Sequence, residues 1–286
     1  MGTSQSSNGS PSGVPMVPPW VPEPAPSSDI EGSPAGAEEQ NAPDAPVQPN
    51  AAPSLPPPVP VAPARRFVAT RTKLGRFAQT GVFAEMRGAL RHYVRNGYGG
   101  VGTAVRRHGS TVRTAGSLYQ ALSTAADGQA ASPGSPLDPA LLAGKTAQGV
   151  LDAVVEAVRP VDGTQDAEAN RKAIRDALSD LLTRFPDADL LNLSEDQRLF
   201  AVERFTALDV YQRFALELGK TIQAKAPNPR AALSRLKEVR EYIKETVAAA
   251  FRGLQRAGQR LNGRIIERMV RDALRETFSV FDAYAQ

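Results

Sequence analysis

The sequence predicts an all-α protein: a bundle of about five helices, preceded by short basic helices and a disordered Pro-rich arm. Three observations lead there. Apolar residues recur at three- and four-residue spacing through most of the second half of the chain. Strict alternation, the signature of strands, is rare. Residues 1–64 hold 17 of the 24 prolines and neither Lys nor Arg.

Charge divides the chain. The arm carries six carboxylates (Glu23, Asp29, Glu31, Glu38, Glu39 and Asp44), giving −6. Residues 65–113 carry 11 Arg or Lys against Glu85 alone, giving +10, and the remainder balances to zero. The domains expected are therefore an acidic arm at 1–64, a basic helical segment at 65–122, a linker at 123–137 and a helical bundle at 138–286. The arm has too little apolar surface to offset the entropy of ordering. Its segment from Leu55 to Val61 favours polyproline II conformers.

The elements follow in order. Within the basic segment, residues 83–94 form a helix with Phe83, Met86, Leu90 and Val94 near one face, stopped by Asn96 and Gly97. Short helices follow at 101–108 and 110–122. Asp138 before Pro139 caps a helix running to about Val158. Thr164 opens the next, with Ile174, Ala177, Leu178, Leu181 and Leu182 on one face. Ser194 and Gln197 fit a capping box ahead of Phe200, Phe205, Leu208, Tyr211 and Phe214. Asn228 before Pro229 caps a helix with Leu233, Leu236, Val239, Ile243, Val247, Phe251 and Leu254. Gly263 separates it from a last helix with Ile265, Ile266, Met269, Val270, Leu274, Phe278 and Phe281.

Composition also excludes chemistry. The absence of cysteine removes disulfides, thiolate metal sites and Cys nucleophiles. No secretory signal and no apolar run of spanning length is visible, so the chain is expected to be soluble and cytoplasmic. Gly97-Tyr98-Gly99-Gly100-Val101-Gly102 spells G-x-G-x-x-G, but a basic helix precedes it where a dinucleotide site needs a strand. Gly144-Lys145-Thr146 ends like a phosphate loop, yet Pro139 stands where that loop needs glycine. His92 and His108 sit among arginines, without a carboxylate or second histidine at ligand spacing, and read as surface or interface residues. The carboxylates of 164–210 interleave with arginines as a solvated helix face. No catalytic residue, metal ligand or cofactor is assigned, and the protein is expected not to be an enzyme.

Two features call for partners. Arg91, Arg95, Arg106 and Arg107, with Phe67, Phe77, Tyr93 and Tyr98 interleaved nearby, suit an acidic protein groove or a phosphate backbone. Pairing with acidic groups of the same chain is the third explanation. Pro15, Met16, Val17, Pro18, Pro19 and Trp20 hold the single Trp and form a candidate docking motif. Excision of Met1 would expose the Gly2 α-amine, whose pKa of about 7.7–8.0 leaves a nucleophilic fraction near neutral pH.

Two stretches resemble the QatB family of bacterial Qat antiviral (anti-phage) systems. One is Met1-Gly2-Thr3-Ser4 with Ser12-Gly13-Val14-Pro15-Met16-Val17-Pro18-Pro19-Trp20-Val21-Pro22. The other is Leu90-Arg91-His92-Tyr93-Val94-Arg95-Asn96-Gly97-Tyr98-Gly99-Gly100-Val101-Gly102-Thr103-Ala104-Val105-Arg106-Arg107. The similarity covers about the first 22 residues and about 65–122; the C-terminal helices match no motif. The resemblance implies an operon with an ATPase, a QueC-like enzyme and a TatD-like nuclease. QueC-type enzymes activate a deazaguanine carboxylate with ATP for attack by ammonia, and a peptide α-amine can take ammonia's place. The implied function is an anti-phage defence component acting as partner and N-terminally modified substrate of the QueC-like enzyme. Gly2 is then the acceptor and Pro15 to Trp20 the docking contacts. The alternative is a nucleic-acid-binding sensor or adaptor using residues 65–113.

Overall fold

The computed structural model describes residues 65–126, 134–254 and 261–284. The arm at 1–64, with Gly2 and Pro15 to Trp20, lies outside the described residues, as does the middle of the 123–137 linker. All regular elements among the described residues are helices, as the patterning predicts: α1 (Val68–Thr80), α2 (Phe83–His92), a π-helical turn (Tyr93–Gly97), α3 (Val101–Arg107), α4 (Gly109–Ala126), α5 (Pro139–Leu142), α6 (Ala147–Val158), α7 (Gln165–Arg184), α8 (Glu195–Lys225), α9 (Pro229–Leu254) and α10 (Gly263–Asp282).

The caps sit where the sequence puts them. Asp138 accepts from the Ala140 N–H at 2.9 Å, Thr164 from Ala167 at 3.2 Å and Asn228 from Ala231 at 2.8 Å. Ser194 and Gln197 exchange both bonds of a capping box, at 3.3 and 2.9 Å. Asn262, beside the expected Gly263 boundary, accepts from Ile265 at 3.0 Å. Each cap satisfies a donor that the helix cannot, worth about 1 kcal/mol.

The helix expected at 138–158 is instead two. Ala143 leaves the helical region at ψ 123° and Gly144 adopts φ 75°. Thr146 then restarts the chain by accepting from the Gly149 N–H at 3.2 Å. The break leaves Leu141 exposed while Leu142 is buried.

The core forms around α8. From Phe205 to Val210 six consecutive residues are buried, which a helix shows only when neighbours enclose it. α1, α4, α7 and α9 all pack on it, and α10 packs on α2, α3, α4 and α9. The basic helices and the C-terminal helices thus share one hydrophobic cluster. Its large members include Phe77, Tyr93, Phe205, Phe214, Phe251 and Phe278, each contributing about 1.5–3 kcal/mol by burial.

The π-helical turn brings α2 to α3. The Tyr98 N–H donates to the Tyr93 carbonyl at 3.1 Å, five residues back, and the Gly100 N–H reaches the Val94 carbonyl at 2.9 Å. Gly99 and Gly100 take φ of 78° and 102°. Gly97 is held for a different reason: a Cβ there would lie 2.4 Å from the Phe67 ring. Gly97→Ala is therefore expected to destabilise the protein by about 1–3 kcal/mol through overpacking. Urea melts read this directly, and an unshifted midpoint would mean that Phe67 does not occupy that space in solution.

Candidate functional surface and buried polar groups

The four arginines singled out from the sequence differ in setting. Arg91 is half-buried on α2 and lines a cleft of about 410 Å³ with Lys73, Glu85, Arg87, His92 and Tyr284. Its Nε and Nη1 are buried without hydrogen-bond partners. Arg95, Arg106 and Arg107 are exposed on the π-helical turn and α3, and Arg106 Nη2 donates to Thr103 Oγ1 at 2.9 Å. None of the four has a carboxylate partner among the described residues. Internal pairing accounts for others of the segment: Arg66 with Glu217 at 3.7 Å, and Lys73 and Arg76 with Glu85 at 3.2 and 4.0 Å. Such partly exposed pairs are worth little individually.

The interleaved aromatics belong to the core. Phe67, Phe77, Tyr93 and Tyr98 are all buried. Phe67 stacks on Tyr93 at 5.8 Å, and Tyr98 meets Tyr93 edge-on at 5.0 Å. The Tyr98 hydroxyl donates to Glu217 at 3.1 Å and bonds the Tyr93 hydroxyl at 3.1 Å. Burial raises both phenols above their ordinary range, and the Glu217 charge adds to this. These rings pack the start of α1, the π-helical turn and α8 together and offer no stacking platform to a base.

His108 also differs from its sequence reading as a surface or interface residue. It is fully buried, 4.9 Å from the Phe278 ring. Its Nδ1–H donates to the Ala104 carbonyl at 2.9 Å. Burial pulls its pKa down to about 4, so the imidazole is neutral at physiological pH. His92 is half-buried, with Nδ1 2.9 Å from Asn96 Oδ1. The Gly97-to-Gly102 motif follows a helix and a π-helical turn, which is not the setting of a dinucleotide loop.

Not every carboxylate of 164–210 is solvated. Asp209 on α8 is 2 % exposed. It accepts from Thr111 Oγ1 of α4 at 2.6 Å and from Asn170 Nδ2 of α7 at 2.7 Å. Thr114 Oγ1 donates to Asn170 Oδ1 at 3.1 Å, completing a knot across three helices. Burial raises the Asp209 pKa to about 6, opposed by the Thr111 hydrogen bond and by the charge of Arg213. Arg213 itself pairs with Asp166 at 3.5 Å. A further cleft, between α9 and α10, is bordered by Glu245, Asp272 and Glu276, with Arg275 bound to Asp272 at 2.8 Å. Among the described residues no group of three or more His, Cys, Asp and Glu is placed to hold a metal ion. None of the described helices is long and apolar enough to cross a membrane.

The class defined by these features is an all-α protein whose buried polar groups serve packing and whose exterior is rich in unpaired arginine. Among known families, the chain matches the model for "Qat anti-phage system associated protein QatB" over residues 99–281. That span is more than half of the chain: the protein belongs to the QatB family and is a component of Qat anti-phage defence. No curated protein and no solved structure matches it.

Asp209 yields a prediction with a definite sign. The folded state keeps its proton up to about pH 6, whereas the unfolded chain releases it near pH 3.9. Its contribution favours folding below the ordinary carboxylate range and is lost as pH rises to about 6. Asn mimics the protonated acid. The stability of Asp209→Asn minus that of the parent is therefore expected to rise between pH 4 and about 6 and then level off. Asp209→Ala strands Thr111 and Asn170, at a cost of about 3 kcal/mol. Denaturant titrations at several pH values check both; parallel pH curves for the parent and Asp209→Asn would contradict the assignment.

Proposed function

We propose that this QatB-family protein is a non-enzymatic cytoplasmic partner of the QueC-like enzyme of its operon and is modified by it at Gly2. The observation that carries the reading is in the sequence: residues 1–64 contain no lysine, and the first lysine is Lys73. Once Met1 is excised, the Gly2 α-amine is the sole amine of that segment. At a pKa of about 8 it keeps a useful neutral fraction. In the reaction, this nitrogen attacks a carboxyl carbon activated by ATP. A C–N bond forms, the activating group leaves with the electrons of the C–O bond, and the amine's proton passes to a base or to water. Pro15, Met16, Val17, Pro18, Pro19 and Trp20 serve as docking contacts, with Trp20 as anchor. The operon ATPase and TatD-like nuclease are further candidates for partners. The folded body supports the reading in that its buried Asp209 and Asn170 are engaged by side chains of neighbouring helices.

Intact mass of the protein, expressed with and without the QueC-like enzyme, tests this. A mass increase mapping to the N-terminal peptide is expected only in co-expression. Gly2→Glu blocks methionine excision and is expected to abolish both the increase and phage protection, leaving helicity unchanged. Gly2→Ala remains excised and retains part of both. Full protection by Gly2→Glu would dispose of the substrate reading.

A further inference from the structure

The last helix carries a charge pattern separate from the basic segment. Arg264, Arg268, Arg271 and Arg275 of α10 are all exposed. Steps of four, three and four residues hold them within one narrow stripe. The stripe lies away from the buried Ile266, Val270, Ala273 and Leu274. It runs about 16 Å along the helix. Arg275 is bound to Asp272. Arg264, Arg268 and Arg271 have no carboxylate partner among the described residues. The other carboxylates of α10 lie off the stripe or at its end. Glu267 lies against Gly116 of α4, Glu276 borders the α9–α10 cleft, and Asp282 falls at the C-terminal end.

The helices packed on α10 carry further exposed arginines. Gly116 meets Gly263, and His108 meets Phe278, so α4 runs antiparallel to α10. The exposed Arg113 stands on α4, the helix packed beside α10. α3, also packed on α10, adds the exposed Arg106 and Arg107.

We propose that the face formed by Arg264, Arg268, Arg271 and Arg113 docks the phosphate backbone of double-stranded nucleic acid. Each cation is arginine, whose planar fork of donors suits phosphate oxygens. Among the described residues the large exposed hydrophobic side chains, such as Phe83, Leu216 and Leu233, all lie on other elements. An acidic protein partner would need an apolar centre to its interface, and this face provides none. Single strands bind through stacked bases, and neither α10 nor α4 carries an exposed aromatic among the described residues. What remains is a row of charges, and a duplex, with one phosphate charge per about 1.7 Å of axis, is the polymer that rewards it most. The inference does not involve Gly2 and is independent of the substrate reading.

Fluorescence anisotropy with the full-length protein and a labelled mixed-sequence 20-bp DNA duplex tests it. Four phosphate contacts give a salt slope near −3.6, so affinity is expected to fall about 100-fold between 50 and 200 mM salt. The triple variant Arg264→Glu, Arg268→Glu, Arg271→Glu is expected to weaken binding at least about tenfold at 50 mM salt, with unchanged circular dichroism. The same three changes to Gln are expected to bring the slope towards −1 and provide the readout if the Glu variant misfolds. Lys220→Glu, Arg230→Glu, Lys237→Glu changes the net charge equally on other surfaces and is expected to weaken binding less than about threefold. Absence of duplex binding by the parent, equal loss in the control triple, tighter binding of the matching single strand, or equal binding of poly-glutamate would each overturn the proposal.

Discussion

A carboxylate buried in the middle of the core sets the terms for the rest of the structure. Asp209 cannot reach water, so its oxygens must find donors, and they find Thr111 on α4 and Asn170 on α7. A hydrogen bond tolerates far less displacement than an apolar contact. Three helices from distant parts of the sequence are thereby fixed in register by one side chain. Hydrophobic burial supplies most of the stabilisation, but many sliding arrangements of leucine and phenylalanine would bury similar area. The Asp209 knot distinguishes among them, and its partial charge cost near neutral pH is the counterpart of that selectivity.

Much of the architecture was legible because helix ends have chemistry. Asp138, Thr164, Ser194 and Asn228 each announce a first turn through a side-chain oxygen, and the folded chain uses all four. The break at Ala143 to Thr146 was harder to see. Gly144 and Thr146 carry its signal, but apolar residues continue through both flanks and mimic an unbroken helix. The enclosure of α8 was also hidden. Its large apolar residues marked the helix, but Phe200 and Tyr211 are only partly buried, whereas Thr206, Ala207 and Asp209 are fully so. A small or polar side chain gives no periodic signal, although a run of six with a single charge was the available hint.

The surface was less legible than the core. Counting charge found the basic segment, yet net charge cannot tell an arginine that pairs with Glu85 or Glu217 from one that faces solvent. Aromatic residues among arginines suggested a binding surface, and the packing of Phe67, Tyr93 and Tyr98 made them core instead. On α10 the arginines alternate with carboxylates along the sequence, so the segment looked neutral; only projection onto the helix separates the signs. The family relationship shows the same asymmetry. The recognisable letters lay in 1–22 and 90–107, where glycine, proline and tryptophan are hard to replace. The match itself spans 99–281, largely amphipathic helices, whose packing tolerates many apolar exchanges.

The enclosure of α8 has a consequence for how the chain can be divided. α1 and α4 precede it, α9 follows it, and all three cover the same helix. A fragment beginning at Asp138 would keep α8 but strip two of its covers, and Phe214 would lose its contact with Tyr93. A fragment ending before α8 would leave α1 and α4 without the helix on which both pack. Neither piece holds a complete apolar interior, so a proteolytic cut between α4 and α5 separates the sequence without yielding two autonomous folding units.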